Sequence, residues 1–507
     1  IFAFTFTLTL SIGINLFDKD KFSLKSNISG LMSAFIISFA GNLTTLYAFF
    51  KPYVNEKPVP FWKLTFLPFS FPNNYWYPNA TRFIPFTIHE FPIYSFVVSD
   101  LHGHVLDIPF VLLTIAFCIS IFYKGVLKYS DLVFLSFLLS IMYMTNAWDG
   151  LIYLVFGYFI ILAVKIKHFN FYETLKSFVF LFLGFVVFSI PFSLFFKPFV
   201  SGIGILCSPK FLTNIGKIGP FLFEANHCQK SPIWQLLILY GFFYFFVFSF
   251  IAFLRFKKNY KIAKNDIFVL LLIILSTILI IVPEFIYVKD IYPLHYRANT
   301  MFKLVYQSFI MLSIGISYVM IKIISNIKNK TILLGFFVLS LILIYLVAIY
   351  PVFAINSYYR DLKNYQSLNG LNYLSTLYPG DFNLINWVNK NIKGQPVILE
   401  ASGDSYTDYA RISANTGLPT VIGWTVHEWL WRGSYDVAAP RIADTQTLYT
   451  TKNLDLEKKL IKKYNISYVV VSYLEKQKYP NLNEDNFKIL GKIVYRNQNT
   501  VLYKINN

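Results

Sequence analysis

The sequence predicts an α-helical multi-spanning membrane domain of about ten spans, followed by a small extracytoplasmic α/β domain. Three observations carry that prediction. Of 507 residues, 56% are hydrophobic and 14% charged, with a mean hydropathy of +0.52, an apolar excess that a water-exposed surface does not accommodate. The apolar residues fall in continuous runs approaching the roughly 20 helical residues that cross about 30 Å of hydrocarbon. Past Phe353 these runs shorten and polar residues rise.

The runs do not alternate, so they read as helices and not as barrel strands. Ten spans follow in order: 1–17, 28–50, 108–123, 132–148, 151–164, 177–196, 233–254, 267–288, 304–321 and 332–353. The fourth and fifth are joined by the short turn at Asn146, Trp148 and Asp149, as in a helical hairpin with an interfacial Trp. The first run opens at Ile1 without Met, and reads as the remainder of a longer protein.

Orientation follows from the loops. One set carries Lys19, Lys21 and Lys25; Lys124 and Lys128; Lys165, Lys167 and Lys176; Arg255, Lys257, Lys258, Lys261 and Lys264; and Lys322, Lys328 and Lys330. The positive-inside rule makes that set cytoplasmic. The opposite set comprises the long outer loops 51–107 and 197–232, the segment 289–303, and everything after Phe353. It is rich in Pro, Trp, Tyr and His and holds six of the seven His. The formal charge of +19 therefore reports membrane orientation, and nucleic acid is not an expected partner. Cys118 lies in an apolar run, whereas Cys207 and Cys228 share one outer loop, where a disulfide is open to them.

The chain thus divides into a transmembrane domain, 1–353, and an outer domain, 354–507. The outer domain alternates an amphipathic helix at 382–392, a strand at 396–400, a Lys-rich helix at 454–464 and strands at 467–472, 492–495 and 500–505.

The densest reactive constellation lies in the first outer loop: Arg82, His89, Glu90, Asp100, His102 and His104. Asp100, His102 and His104 alternate, so in an extended segment they point the same way, which suits a divalent metal or a phosphate-bound metal. Gly103 lets the backbone bend between the imidazoles. The alternative is that these groups hydrogen-bond one another at a helix entrance, with Asp100 as the N-terminal cap. A second cluster holds His295, Arg297 and Lys303, cations that either bind phosphate or anchor the next span at the headgroups. A third holds Asp404, Tyr406, Arg411, Trp424, His427, Glu428, Trp431 and Arg432. Aromatic faces among polar groups suit a carbohydrate surface, or else anchor the domain on a bilayer. No phosphate-cradling P-loop and no Gly-x-Ser-x-Gly nucleophile elbow occurs, which disfavours nucleotide hydrolysis.

The stretches NATRFIPFTIHEFPIYSFVVSDLHGHVLDIPF, HYRANTMFKLVYQ and GQPVILEASGDSYTDYARISANTGLPTVIGWTVHEWLWRGSY together resemble the "YYY" family of uncharacterised polytopic membrane proteins. That family's tyrosine triplet and acidic outer-loop segment lie further toward the N-terminus, which fits a chain whose start lies upstream of Ile1. The family looks related to GT-C-type membrane glycosyltransferases. The resemblance implies a GT-C-like fold, a polyprenyl-phosphate sugar donor and chemistry at the outer face, with a base in the first outer loop and an acidic metal-binding motif later. Asp100 and His102 then correspond to the later motif, and the base lies upstream of Ile1.

The reading is a membrane glycosyltransferase moving a sugar from a lipid-linked donor to a glycan or protein acceptor. Asp100, His102 and His104 are expected to bind a divalent ion, Mg or Mn. Glu90 and His89 orient them or assist proton transfer alongside Asp100, and Arg82, Arg297, Lys303 and His295 bind phosphate. The third cluster recognises the acceptor. The alternatives are a transporter or flippase and a non-catalytic glycan-binding assembly protein, the first disfavoured by the scarcity of mid-span charges.

Overall fold

The structure, a computed structural model, describes residues 1–18, 23–54, 57–196, 200–257, 260–290, 294–359, 362–363, 369–432, 434–497 and 499–506. Lys19, Lys21 and Lys258 of the basic loops lie outside them. The chain forms two compact units, Ile1–Lys363 and Asn364–Asn507.

The first unit is helical. Its helices are α1 (Phe2–Phe17), α2 (Leu24–Phe39), α3 (Pro92–Val97), α4 (Gly103–Leu106), α5 (Ile108–Lys124), α6 (Tyr129–Thr145), α7 (Ala147–Lys165), α8 (Phe171–Ser193), α9 (Lys210–Ile215), α10 (Ile233–Phe256), α11 (Lys264–Ile281), α12 (Ala298–Ile324), α13 (Lys330–Ala348) and α14 (Tyr350–Tyr359). Among the described residues six helices are long and apolar enough to cross a membrane: α7, α8, α10, α11, α12 and α13 with their short extensions. The pair Leu24–Phe39 and Leu43–Phe49, bent by 68°, adds one more, and α1, α5 and α6 are shorter apolar helices.

α12 is the axis of this unit. Its apolar window is wholly buried, whereas those of α8 and α13 are 22% and 17% buried, so α8 and α13 present their sides outward. Packing between α1 and α2 depends on small residues, as membrane helix pairs do in the absence of a hydrophobic drive between them. A Cβ placed on Gly30 would stand 2.6 Å from the Leu10 carbonyl oxygen, and one on Gly13 would stand 2.8 Å from Gly30 Cα.

The span expected at 267–288 ends early. α11 stops at Ile281, a 3-10 turn at Val282–Glu284 follows, and Ile286–Lys289 is a strand. Pro283 offers no amide hydrogen to a continuing helix, and the strand finds its partners outside it. With β1 (Gly202–Ile205), β2 (Lys217–Ile218) and β3 (Phe221–Leu222), this strand, β4 (Ile286–Lys289), makes a sheet of order β2-β3-β1-β4. β1 and β4 pair antiparallel, with Ile203 opposite Val288. A disulfide joins Cys207 to Cys228 beside this sheet.

The second unit is a sheet covered on both faces by helices. β5 (Val397–Leu399) and β6 (Ile466–Val471) run parallel, and β8 (Thr500–Ile505) and β7 (Gly491–Asn497) complete the order β5-β6-β8-β7. Side chains of a strand alternate between faces, and β6 supplies both cores. Val469 and Val471 pack with Leu448, Leu460 and Phe487, while Val470 packs with Leu384, Val388 and Ile412. The helices supplying the first face include α19 (Tyr435–Thr450), α20 (Leu454–Tyr464) and α22 (Glu484–Leu490). Those supplying the second include α15 (Asn372–Leu377), α16 (Pro379–Asn391) and α17 (Arg411–Thr416); α18 (Thr425–Arg432) and α21 (Tyr473–Lys478) complete the unit.

The α1–α2 contact yields a prediction. Gly30→Leu should lower the unfolding free energy of the detergent-solubilised protein by about 1–3 kcal/mol, the usual cost of overpacking, whereas Leu31→Ala, at a side chain 52% exposed, should change it little. Equal effects of the two substitutions in a thermal-unfolding assay would contradict the close-packed geometry.

Candidate functional site

The loop 51–107 folds back onto α12, and the fold-back builds the candidate site. α3 starts with Pro92 at its first turn, where the missing amide costs nothing. It ends before Ser99, which takes the left-handed conformation with φ 55°. That turn lets the Asp100 amide donate to the Ser95 carbonyl at 2.9 Å. α4 then begins with Gly103 against the end of α6. A Cβ there would meet the Thr145 carbonyl oxygen at 2.2 Å, so glycine serves close backbone approach, not the bend between imidazoles expected from sequence.

Asp100 is the hub. Its Oδ1 accepts the His102 amide at 2.9 Å and contacts the His102 ring Nδ1, while its Oδ2 lies 3.4 Å from His104 Nε2. The two imidazoles part company here. The His102 side chain is 55% exposed, and that of His104 is 2% exposed. The Phe302 and Tyr306 rings meet the His104 ring edge-on at 4.6 and 4.9 Å. Lys303 Nζ approaches His104 Nδ1 at 3.2 Å.

Glu90, buried, closes the cluster. Ligand-capable atoms of Glu90, Asp100 and His104 all lie within 4.8 Å of one another. An ion at roughly 2.1 Å from each would space such atoms about 3–4 Å apart, so a small adjustment closes the set on a metal. The buried His104 Nε2 has no hydrogen-bond partner, so a ligand taking it would displace none. The ligand-capable set is therefore Glu90, Asp100 and His104, in place of the expected Asp100, His102 and His104. His102 falls outside it because its ring nitrogen is turned onto Asp100 Oδ1.

The electrostatics follow from burial. Burial raises the Glu90 carboxyl above its ordinary value against the opposing charge of Arg82, whose Nη2 bonds Glu90 Oε1 at 2.8 Å. Burial also acts to raise Asp100, but the hydrogen bonds from the His102 ring and amide outweigh it and hold Asp100 low. The same hydrogen bond raises His102. Burial first, then the Lys303 charge, pushes His104 well below the ordinary imidazole value, so its ring is neutral.

Other expected site residues are placed elsewhere. His89 is buried, its Nε2 accepting the Phe83 amide at 2.8 Å, and it pins the loop instead of meeting a substrate. Arg297 is fully buried, with Nη1 3.0 Å from Glu284 Oε2 and Nη2 donating to Ser231 Oγ at 3.0 Å. A guanidinium so occupied ties loop 197–232 to the start of α12 and has no face for phosphate. His295 is exposed beside Phe86 at 5.5 Å. Of the expected phosphate cations, the structure brings Arg82 and Lys303 to the triad.

Sequence reasoning set Asp149 aside as part of a tight connection and gave Asp107 no role. Both are fully buried, and none of their carboxylate oxygens has a hydrogen-bond partner in the structure. Burial, and next the Asp149 charge, raise the Asp107 carboxyl. Gln307, one helical turn beyond Lys303 on α12, accepts the Tyr153 hydroxyl at 3.1 Å. The i+4 spacing of Lys303 and Gln307 was the available signal for this inner polar layer.

In the second unit, Trp424, His427, Glu428 and Trp431 line a cavity of about 490 Å³ with Ala410 and Gly417. Tyr406, 75% exposed, stands 5.7 Å from the Trp424 ring. Ser405 Oγ contacts His427 Nδ1 at 2.5 Å, Thr425 Oγ1 reaches Asp404 Oδ1 at 3.4 Å, and Arg432 Nε donates to Glu428 Oε2 at 2.5 Å. Arg411 does not join this surface. It is buried, with Nε donating to Asp381 Oδ2 at 2.6 Å and Nη2 to Ser472 Oγ and Glu475 Oε2, so its charge is spent on the core. Gly433, at the end of the aromatic segment, lies outside the described residues.

A model of the family described as uncharacterized membrane protein (DUF2298) matches residues 1–264 and 252–312. No curated protein matches. Solved structures that match include an archaeal oligosaccharyltransferase, AglB, from Archaeoglobus fulgidus in complex with an inhibitory peptide and a dolichol-phosphate, at 13% identity and TM-score 0.37, covering 100% of this chain and 63% of that one. The Archaeoglobus fulgidus oligosaccharyltransferase in the apo form matches at 10% identity and TM-score 0.37, covering 92% and 57%. Its complex with Zn and sulfate matches at 9% and 0.37, covering 99% and 60%. The chain thus spans under two thirds of the length of each.

The Arg411 cluster gives a pH-dependent prediction. Burial acts to raise Glu475, but the Arg411 charge and hydrogen bonds hold it below its ordinary value. A depressed carboxyl contributes stability above its unfolded value, about 4.3, and loses it as pH falls through the folded one. Arg411→Ala should therefore cost about 3–5 kcal/mol at pH 7 by stranding the buried Glu475 carboxylate, with a smaller deficit at about pH 4, where that carboxyl, freed from the guanidinium and raised by burial, is protonated. Denaturant unfolding of the intact protein at the two pH values measures it, and a pH-independent deficit would contradict the pairing.

Proposed function

The chain belongs to the uncharacterized membrane protein (DUF2298) family, and we propose that it is a GT-C-like membrane glycosyltransferase, taking a sugar from a polyprenyl-phosphate donor on the extracytoplasmic side of about ten spans. The observation that carries the reading is the juxtaposition of Glu90, Asp100 and His104 with two cations, Arg82 and Lys303. Carboxylates with one imidazole suit Mn better than Mg, which prefers oxygen alone. When bound, a divalent ion supplies Lewis-acid neutralisation of a leaving phosphate.

The chain's own residues do the rest. Arg82 has a half-exposed side chain whose guanidinium fork matches phosphate geometry. Its bond to Glu90 keeps that carboxylate aimed into the cluster. Lys303 adds a point charge. Phe302 and Tyr306 fix the His104 ring plane and keep water from it. Sidedness draws on the basic loops and on the Cys207–Cys228 disulfide, a bond favoured in oxidising compartments. The second unit offers the acceptor or glycan a cavity edged by Trp424 and Trp431, with His427 and Glu428 for hydroxyls. One observation favours a second reading, transport of a cation or lipid-linked substrate: the fully buried carboxyls of Asp107 and Asp149, which act on one another, are the kind of group that transporters use.

Asp100→Asn and Glu90→Gln should each reduce Mn-dependent sugar transfer from a polyprenyl-phosphate donor by at least about 100-fold, beyond the 10–100-fold typical of residues that only support a ligand. His102→Gln should cost less. Transfer that survives both carboxylate substitutions in the full-length protein would defeat the reading. Transfer lost only in Asp107→Asn and Asp149→Asn variants, with counterion flux lost in parallel, would favour transport.

A further inference from the structure

The contact between Lys303 and His104 sets a condition on how the triad can be used. A lysine ammonium has three donors and no acceptor, so its approach to His104 Nδ1 at 3.2 Å engages the ring's lone pair at Nδ1. A neutral imidazole carries one lone pair and one N–H. With Lys303 in place, the hydrogen therefore sits on Nε2, facing Asp100 Oδ2 at 3.4 Å. Nε2 is also the ring atom turned toward Asp100 in the cluster with Glu90. The same ring cannot present a lone pair to Lys303 and to a metal.

The surroundings give the ring no other way out. Phe302 and Tyr306 hold it edge-on, so it does not flip to exchange its nitrogens without repacking α12. Lys303 itself rests over the Phe302 ring, 4.5 Å from its centroid. When the lone pair moves to Nε2, the Nδ1–H and the ammonium become two donors that stand 3.2 Å apart in the structure. Two donors facing one another require a shared acceptor, and an anionic phosphate oxygen is the acceptor that suits a ring N–H beside an ammonium.

We propose that Lys303 is a positioning residue that couples the two ligands of the site: it occupies His104 in the metal-free chain and, released when a divalent ion takes His104, pairs with His104 Nδ1–H to bind a phosphate ester. Metal binding and phosphate binding then favour each other, and the metal comes first. The inference rests on the metal-site reading above but is separable from it.

Mn binding to the intact protein, read by electron paramagnetic resonance with and without inorganic phosphate or a polyprenyl monophosphate in the micelle, tests it. In the wild type, phosphate should tighten Mn binding, in the roughly 5–150-fold range of coupled sites. In Lys303→Met, Mn should bind more tightly than wild type without phosphate, because its competitor is gone, and phosphate should no longer tighten it. An unfolded variant cannot imitate a gain in affinity, and Lys303→Gln repeats the test with a second side chain. Coupling with inorganic phosphate identifies the headgroup as sufficient, whereas coupling with the lipid phosphate alone adds the chain as a requirement; both support the inference. Unchanged or weaker Mn binding in Lys303→Met, with phosphate coupling intact, overturns it while leaving the metal site standing. Absence of Mn binding in the wild type and both variants overturns the metal site and the inference together.

Discussion

The seating of His104 against α12 is the contact on which the site depends. A four-residue helix is too short to hold its own shape, and α4 is stable here because His104 is clamped between the Phe302 and Tyr306 rings and Lys303. That clamp brings the loop 51–107 down onto the most buried of the long apolar helices described. Once His104 is fixed, Asp100 reaches it by Oδ2 and uses Oδ1 to order the backbone at His102. Glu90, held by Arg82, completes the set from the other side of α3. A loop of more than fifty residues thus becomes a defined surface through a few contacts to a rigid helix, a common division of labour between scaffold and function.

Burial decides which residues of each expected cluster serve the surface and which serve the fold. Arg297 and Arg411 are the clearest cases. Both read as anion- or ligand-binding in a linear sequence, and both are buried with carboxylate partners. An unpaired guanidinium in such places would be costly, so their partners were obligatory. Glu284 stands in the same stretch of sequence as Arg297, whereas Glu475 is far in sequence from any motif that would have announced it. Arg82 and Lys303, by contrast, keep part of their length open and stay beside the triad.

Of the ten expected spans, the six with the longest apolar helices were legible because such a run has few alternatives, while 1–17, 108–123 and 132–148 fold as shorter apolar helices; the segment Leu454–Tyr464 was legible because its charges and apolar residues repeat with helical period. The strands of the second unit were legible from their β-branched runs. The small sheet beside the disulfide was not: its strands are two to four residues long, too short for a period to register. At the candidate site, sequence pointed to the loop and to Asp100 and His104, but named His102 where the structure groups Glu90 with them. Alternation along an extended segment was assumed, and the left-handed turn at Ser99 with the α4 turn replaced it. Nor does a linear pattern reveal that Lys303, some two hundred residues later, shares His104.

Whether Glu90, Asp100 and His104 form one cation site is tested by anomalous scattering from crystals of the intact chain grown with Mn. A peak bonded to a Glu90 oxygen, an Asp100 oxygen and His104 Nε2 is expected, with Lys303 withdrawn from Nδ1. A peak on His102 with Glu90 uninvolved, or no peak at this cluster at saturating Mn, would contradict it.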